Sequence, residues 1–179
     1  MSVTVTPCTG DHVGHNIAGG TSAQAYLGVQ LTSGNPLIGS NLSSVQVALG
    51  KESSGDTGTV TCYHQAGAGG TLTQSSTSFD YSEISVWANP NPLYEFEFAN
   101  IDINENDFFW WTSSNTSNRC GLDYYETCPN YTGFASKKNS FSPDSAASLT
   151  GQLRSDWTTS SSPPSSSIVE PPPIAMVRY

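Results

Sequence analysis

Positive charge is what this chain has least of: six Lys and Arg stand against fifteen Asp and Glu in 179 residues, a formal net charge of −9. Nucleic acid and anionic membranes need clustered Lys and Arg, and these six are scattered, which argues against both as partners. Long apolar runs are missing too. None approaches the roughly 18–20 residues that span a bilayer. No segment shows helical periodicity, no CxxC spacing suggests zinc, and no G-x-S-x-G marks a nucleophile. Gly67, Ala68, Gly69 and Gly70 lack the Lys and following helix of a phosphate cradle, so they form a turn. The opening MSVTVTPCTG is polar and strand-like, without the basic-then-apolar order of a signal peptide. It points to a mature numbering or to a protein not exported by that route.

What is present is β-strand punctuated by turns. The stretch LYEFEFANIDINENDFFWWT (93–112) organises the rest. Tyr94, Phe96 and Phe98 alternate with Glu95 and Glu97, which puts rings on one face and carboxylates on the other. The apolar parity then shifts to Ile101 and Ile103, which requires a bulge or bend near Ala99 and Asn100. Residues 104–107, NEND, read as a tight turn, so that 93–112 forms a central hairpin. Phe108, Phe109, Trp110 and Trp111 are apolar on both faces. Their strand is therefore expected to be central, covered by a second sheet on one side and by a loop or partner on the other.

Further strands are expected over 23–31, 42–49 and 59–65, with weaker ones near 71–74 and 84–87 and a closing strand within 146–157. Val3 and Val5 suggest an edge strand that dissolves into a Gly-rich polar arm. Residues 113–144 read as a long loop of the kind used for function or assembly. Short strands with Gly, Pro and Asn turns describe an all-β, antiparallel β-sandwich over residues 1–157. Residues 158–179 follow as an extended Ser/Pro-rich tail, TTSSSPPSSSIVEPPP and then IAMVRY. Its end, with Ile174, Met176, Val177 and Tyr179, is a short strand candidate able to pair in its own sheet or at a neighbouring subunit's edge.

The four cysteines, Cys8, Cys62, Cys120 and Cys128, suggest an oxidising environment. Of the three pairings, Cys120 with Cys128 and Cys8 with Cys62 are favoured; free thiols are the alternative. Candidate chemistry is sparse. Asp11, His12 and His15 can supply metal ligands, although a polar loop explains them better. The turn 102–107 superficially matches a calcium loop, D-x-N-x-N, without its Gly and distant Glu, and a structural calcium is the one cofactor the reading admits. His64 sits in a strand with no partner evident in sequence. Glycans stack on exposed rings, and Tyr124, Tyr125 and Tyr131, with Trp87 and Trp157, are the candidates for glycan or partner contact. The bland alternative is that the Trp residues are core and the Tyr residues pack the loop down.

Three stretches, AQAYLGVQL (23–31), SNLSSVQVALGKESSGDTGTVTCYHQ (40–65) and YEFEFANIDINENDFFWWTSS (94–114), resemble jelly-roll modules of bacterial and archaeal surface proteins. These include choice-of-anchor and carbohydrate-binding-module-like sandwiches, and similar domains in phage decoration, tail and fibre proteins. The resemblance implies a jelly-roll-like sandwich. One jelly-roll hydrolase family carries E-x-D-x-x-E; here the frame reads Glu95, Glu97, Asn100, so the acid/base position is missing and a solvated strand face is expected instead. Two functions follow as expectations. The first is a non-enzymatic structural protein of a homo-oligomeric surface assembly, a virion component docking through loops and tail. The second is a secreted carbohydrate-binding or adhesion module that meets a cell-surface glycan. The corresponding locations are the virion surface and the extracellular space.

Overall fold

The computed structural model describes residues 12–18, 26–88, 90–115, 117–125, 131–136, 141, 148–149, 152–153 and 155–161. They form an all-β structure of twelve strands: β1 (His12–Ala18), β2 (Tyr26–Leu31), β3 (Ser40–Lys51), β4 (Thr59–Gln65), β5 (Leu72–Asp80), β6 (Leu93–Asp102), β7 (Phe108–Ser113), β8 (Cys120–Tyr125), β9 (Tyr131–Ser136), β10 (Ser148–Leu149), β11 (Gln152–Leu153) and β12 (Ser155–Ser161). The strands pair antiparallel in two sheets. In the first sheet β3 is the spine, with β6 and β12 along it, β8 at its far end, and β1 and β11 on β8. The second runs β10-β9-β2-β7-β4-β5.

The period-two alternation places the core. Leu27, Val29 and Leu31 on β2, Val45, Val47 and Leu49 on β3, Val60 and Cys62 on β4, and Phe96 on β6 are all fully buried. Glu95 and Glu97 stand exposed on the opposite face, as the alternation requires. The two sheets meet ring to ring: Phe98 lies 6.0 Å from Phe109, and Phe109 4.8 Å from Trp157, both edge-on. Such rings contribute about 2–3 kcal/mol each through burial, with up to about 1.5 kcal/mol more per well-oriented pair.

The expected bulge is present. Leu42 pairs with Ile101 and Ser44 with Glu97, so Ser43 alone faces Phe98, Ala99 and Asn100. Asn100 takes φ 52°, a left-handed conformation that Asn tolerates better than most residues. β12 skips the same Ser43 and keeps its own alternation, so β3 and β6 change parity at one level and Leu42 also turns inward.

The stretch 93–112 is not a hairpin. β6 pairs with β3 in the first sheet, whereas β7 lies between β2 and β4 in the second, so the polar turn is an arch that crosses the sandwich. Its main chain explains why. Ile103 N–H donates to Ser40 O and Ile103 O accepts from Gly39 N–H, while Asp107 O accepts from Leu31 N–H and Asn106 N–H donates to Leu31 O. The turn spends its hydrogen bonds on two other connections rather than on closing a ladder.

Both faces of β7 are covered, as its sequence demands. Phe109 and Trp111 enter the core, and Trp110 is fully buried on the outer face. There the Phe141 ring lies 4.9 Å from Tyr26, 4.9 Å from Tyr63 and 6.5 Å from Trp110. Gly28, opposite Trp110, makes this possible, because a Cβ there would stand 2.5 Å from the indole.

Three expectations about elements need correction. The expected loop 113–144 contains β8 and β9, whose CGLDYY and YTGFAS hold too few branched apolar residues to stand out. The weak strand at 84–87 is a single parallel bridge from Val86 to Lys51, preceded by a 3-10 turn over Tyr81–Glu83. β12 continues through 158–161, four residues into the stretch read as tail, because those Thr and Ser residues pair with β3. The expected edge strand at Val3 and Val5 and residues 162–179 lie outside the described residues.

Candidate assembly surface

The root of the C-terminal tail is built into the sandwich. Ser155, Trp157 and Thr159 of β12 face inward at 8%, 3% and 4% exposure, while Thr158 and Ser160 face out. The Trp157 indole N–H donates to Ser155 Oγ at 2.8 Å, and Ser43 Oγ donates to Thr158 O at 3.0 Å across the bulge. Trp157 is therefore core, which corrects its reading as a glycan or partner contact: its ring packs on Phe109 and presents no face to solvent. Beside this root a groove of about 450 Å³ opens between Ser43, Ser44, Ser76, Glu95, Glu97 and Thr158. Ser44 Oγ donates to Glu95 Oε1 at 2.6 Å. Asn100, where the hydrolase frame needs a carboxylate, is part of the bulge.

The tyrosine candidates are dispersed. Tyr124 and Tyr125 end β8 in the first sheet, opposite Val13 and His12, whereas Tyr131 opens β9 in the second, opposite Leu31. The strand candidates Ile174, Met176, Val177 and Tyr179 lie outside the described residues. His12 and His15 sit on β1, paired with Tyr125 and Leu122, rather than in a loop arm, and Asp11 lies outside the described residues. Among the described residues no group of three or more His, Cys, Asp and Glu is placed to hold a metal ion. The calcium-like turn is engaged by protein donors: Asp102 Oδ1 accepts from Asn41 Nδ2 at 3.0 Å, and Asp107 accepts from Asn104 N–H at 2.9 Å and Gly67 N–H at 3.1 Å.

The structure supplies the partner that His64 lacked. Its Nε2 lies 2.9 Å from Asp107 Oδ2, with both side chains buried. This pair ties β4 to the arch, as Gly67 N–H ties the β4–β5 loop to it, and the sequence separation of 43 hid it.

Cys62 and Cys120 are free, buried thiols, which corrects the expected pairing of Cys62 with Cys8 and of Cys120 with Cys128. Both side chains point into the core on inward positions of β4 and β8, and Cys8 and Cys128 lie outside the described residues. Burial pushes the Cys62 thiol well up, and pushes Cys120 to about 12 against smaller lowering by the Gly121 N–H. Neither is a thiolate near neutral pH, so neither is a ready nucleophile. Lys51, cross-strand from Cys120, is also buried, and its Nζ donates to Tyr81 O.

What sequence reasoning missed is the outer aromatic cluster of Tyr26, Tyr63, Trp110 and Phe141. Tyr26 and Tyr63 occupy the polar positions of their alternations, and only the register brings them to Trp110. Compared with known proteins, the chain matches no protein-family model, no curated protein sequence and no solved structure.

Proposed function

We propose that this chain is a non-enzymatic structural subunit of a surface assembly, most concretely a capsid-decoration, tail or fibre subunit of a virion. It is a jelly-roll-like sandwich that docks on copies of itself through its loops and C-terminal tail. The observation that supports this is the fixed root of the tail. The Ser/Pro run leaves from the end of a seven-residue strand that is paired along β3 and pinned by Trp157. A displayed module on a flexible stalk needs no such root, whereas a strap that transmits docking free energy to the domain does. Association comes from buried loop and tail surface and from main-chain hydrogen bonds at a sheet edge. No cofactor enters, and the virion surface or the extracellular space is where the assembly functions.

The test is the mass in solution, by light scattering at several concentrations, of the full chain and of a chain ending at Ser161. The cut falls there because a cut after Trp157 would remove four residues paired with β3. A defined oligomer that becomes monomeric on truncation is expected; an oligomer unchanged by truncation, or a monomer in both, rejects the proposal. A second reading, a secreted carbohydrate-binding or adhesion module, is favoured by the half-buried rings of Tyr26 and Tyr63 on an outer sheet face. It predicts a monomer whose glycan binding is lost when Tyr63, or Tyr124 with Tyr125, becomes Ala.

A further inference from the structure

The first sheet treats its two long edges differently. Along β6 the outward main-chain groups are satisfied by side chains of β5: Thr77 Oγ1 donates to Glu95 O at 3.1 Å and accepts from Glu97 N–H at 2.8 Å, and Ser76 Oγ donates to Glu97 O at 3.3 Å. Along β12 no strand pairs with the outer edge among the described residues. Nor does β12 carry the devices that usually blunt an edge. Its sequence, SDWTTSS, holds no Pro and no Lys, and a single charge, Asp156. Thr159 on this strand also has a buried hydroxyl without a partner.

We propose that the outer edge of β12 is a strand-acceptor site, and that its occupant is the segment 174–179 of a second copy of this chain. The inference rests on the assembly reading above and names its interface. The segment IAMVRY has no proline, so it can pair through its main chain, and its six residues match the seven of β12. The length of the link favours another chain's edge over the chain's own. Returning to its own β12 as an antiparallel neighbour needs a turn of about two to five residues after Ser161. Instead twelve residues intervene, 162–173, including Pro163, Pro164, Pro171, Pro172 and Pro173. In polyproline II geometry they extend about 37 Å, at about 3.1 Å per residue. β12 itself is about 23 Å long at about 3.3 Å per residue. A link of that reach is far longer than a hairpin back to the chain's own edge needs, and long enough to carry the donor strand to a neighbour.

The experiment uses full-length chains carrying single substitutions, Ser160→Cys on the exposed side of β12 and Met176→Cys in the donor, mixed and oxidised. The expected result is a disulfide-linked dimer in the mixture that neither variant forms alone. Alongside, Met176→Pro, which removes one donor N–H and its geometry, weakens the oligomer by about tenfold or more. An intrachain link in the Ser160→Cys/Met176→Cys double variant, with none in the mixture, overturns the proposal in favour of pairing in cis. No link in either, with an oligomer that Met176→Pro still weakens, overturns the β12 site while leaving the assembly reading intact. A wild-type monomer at every concentration overturns both.

Discussion

Asp107→Ala is the substitution whose cost the structure defines best. Asp107 is 2% exposed, and its two carboxylate oxygens take Asn104 N–H, Gly67 N–H and His64 Nε2 at 2.9, 3.1 and 2.9 Å. A hydrogen bond to a charged acceptor contributes about 1.5–3 kcal/mol, but the two main-chain donors are only partly buried and recover some of this from water. The sum for three contacts is about 3–5 kcal/mol. In a domain of this size that lowers Tm by about 10 °C, at roughly 2–4 °C per kcal/mol. Asp107→Asn separates charge from shape. Its carbonyl can keep Gly67, but its amide confronts the Asn104 N–H donor to donor, so a smaller loss of about 2 kcal/mol is expected. Urea unfolding followed by tryptophan fluorescence reads both, with m-values unchanged if the native fold is kept. A loss below about 1 kcal/mol for Asp107→Ala would refute the claim that this carboxylate ties the arch to the β4–β5 loop.

Two further perturbations are specific. Burial holds Cys62, Cys120 and Tyr81 above their ordinary values, so the unfolded chain releases protons that the folded chain keeps. Stability is therefore full below about pH 9 and falls as pH rises toward 12, by about 1.4 kcal/mol per pH unit for each such proton; unfolding measured from pH 7 to 11 checks the slope, and a flat profile contradicts it. Gly28→Ala places a Cβ 2.5 Å from the Trp110 ring and 2.7 Å from Phe109 O, and is expected to cost about 1–3 kcal/mol in thermal unfolding.

The reading of the chain succeeded where one strand's own pattern carries the information. The alternation in β2, β3, β4 and β6 assigned the core face residue by residue, and the parity shift from Phe98 to Ile101 required the bulge that Asn100 makes. Apolar residues on both sides of β7 required cover on both sides, and Phe141 helps provide it. It failed where weakly apolar strands, β8 and β9, passed for loop, and where a run of Thr and Ser in β12 passed for tail.

The amino-acid sequence by itself determined the all-β class, the inward residues of the main strands and the absence of clustered positive charge, because alternation and composition are local properties. Only the tertiary structure decided that 93–112 is an arch between sheets rather than a hairpin, that Trp157 is core, that Cys62 and Cys120 are free, and that His64 meets Asp107. Each of these depends on which strand lies beside which. Main-chain hydrogen bonds look the same for every sequence, so the neighbour is chosen by the packing of the whole core and not by any one segment.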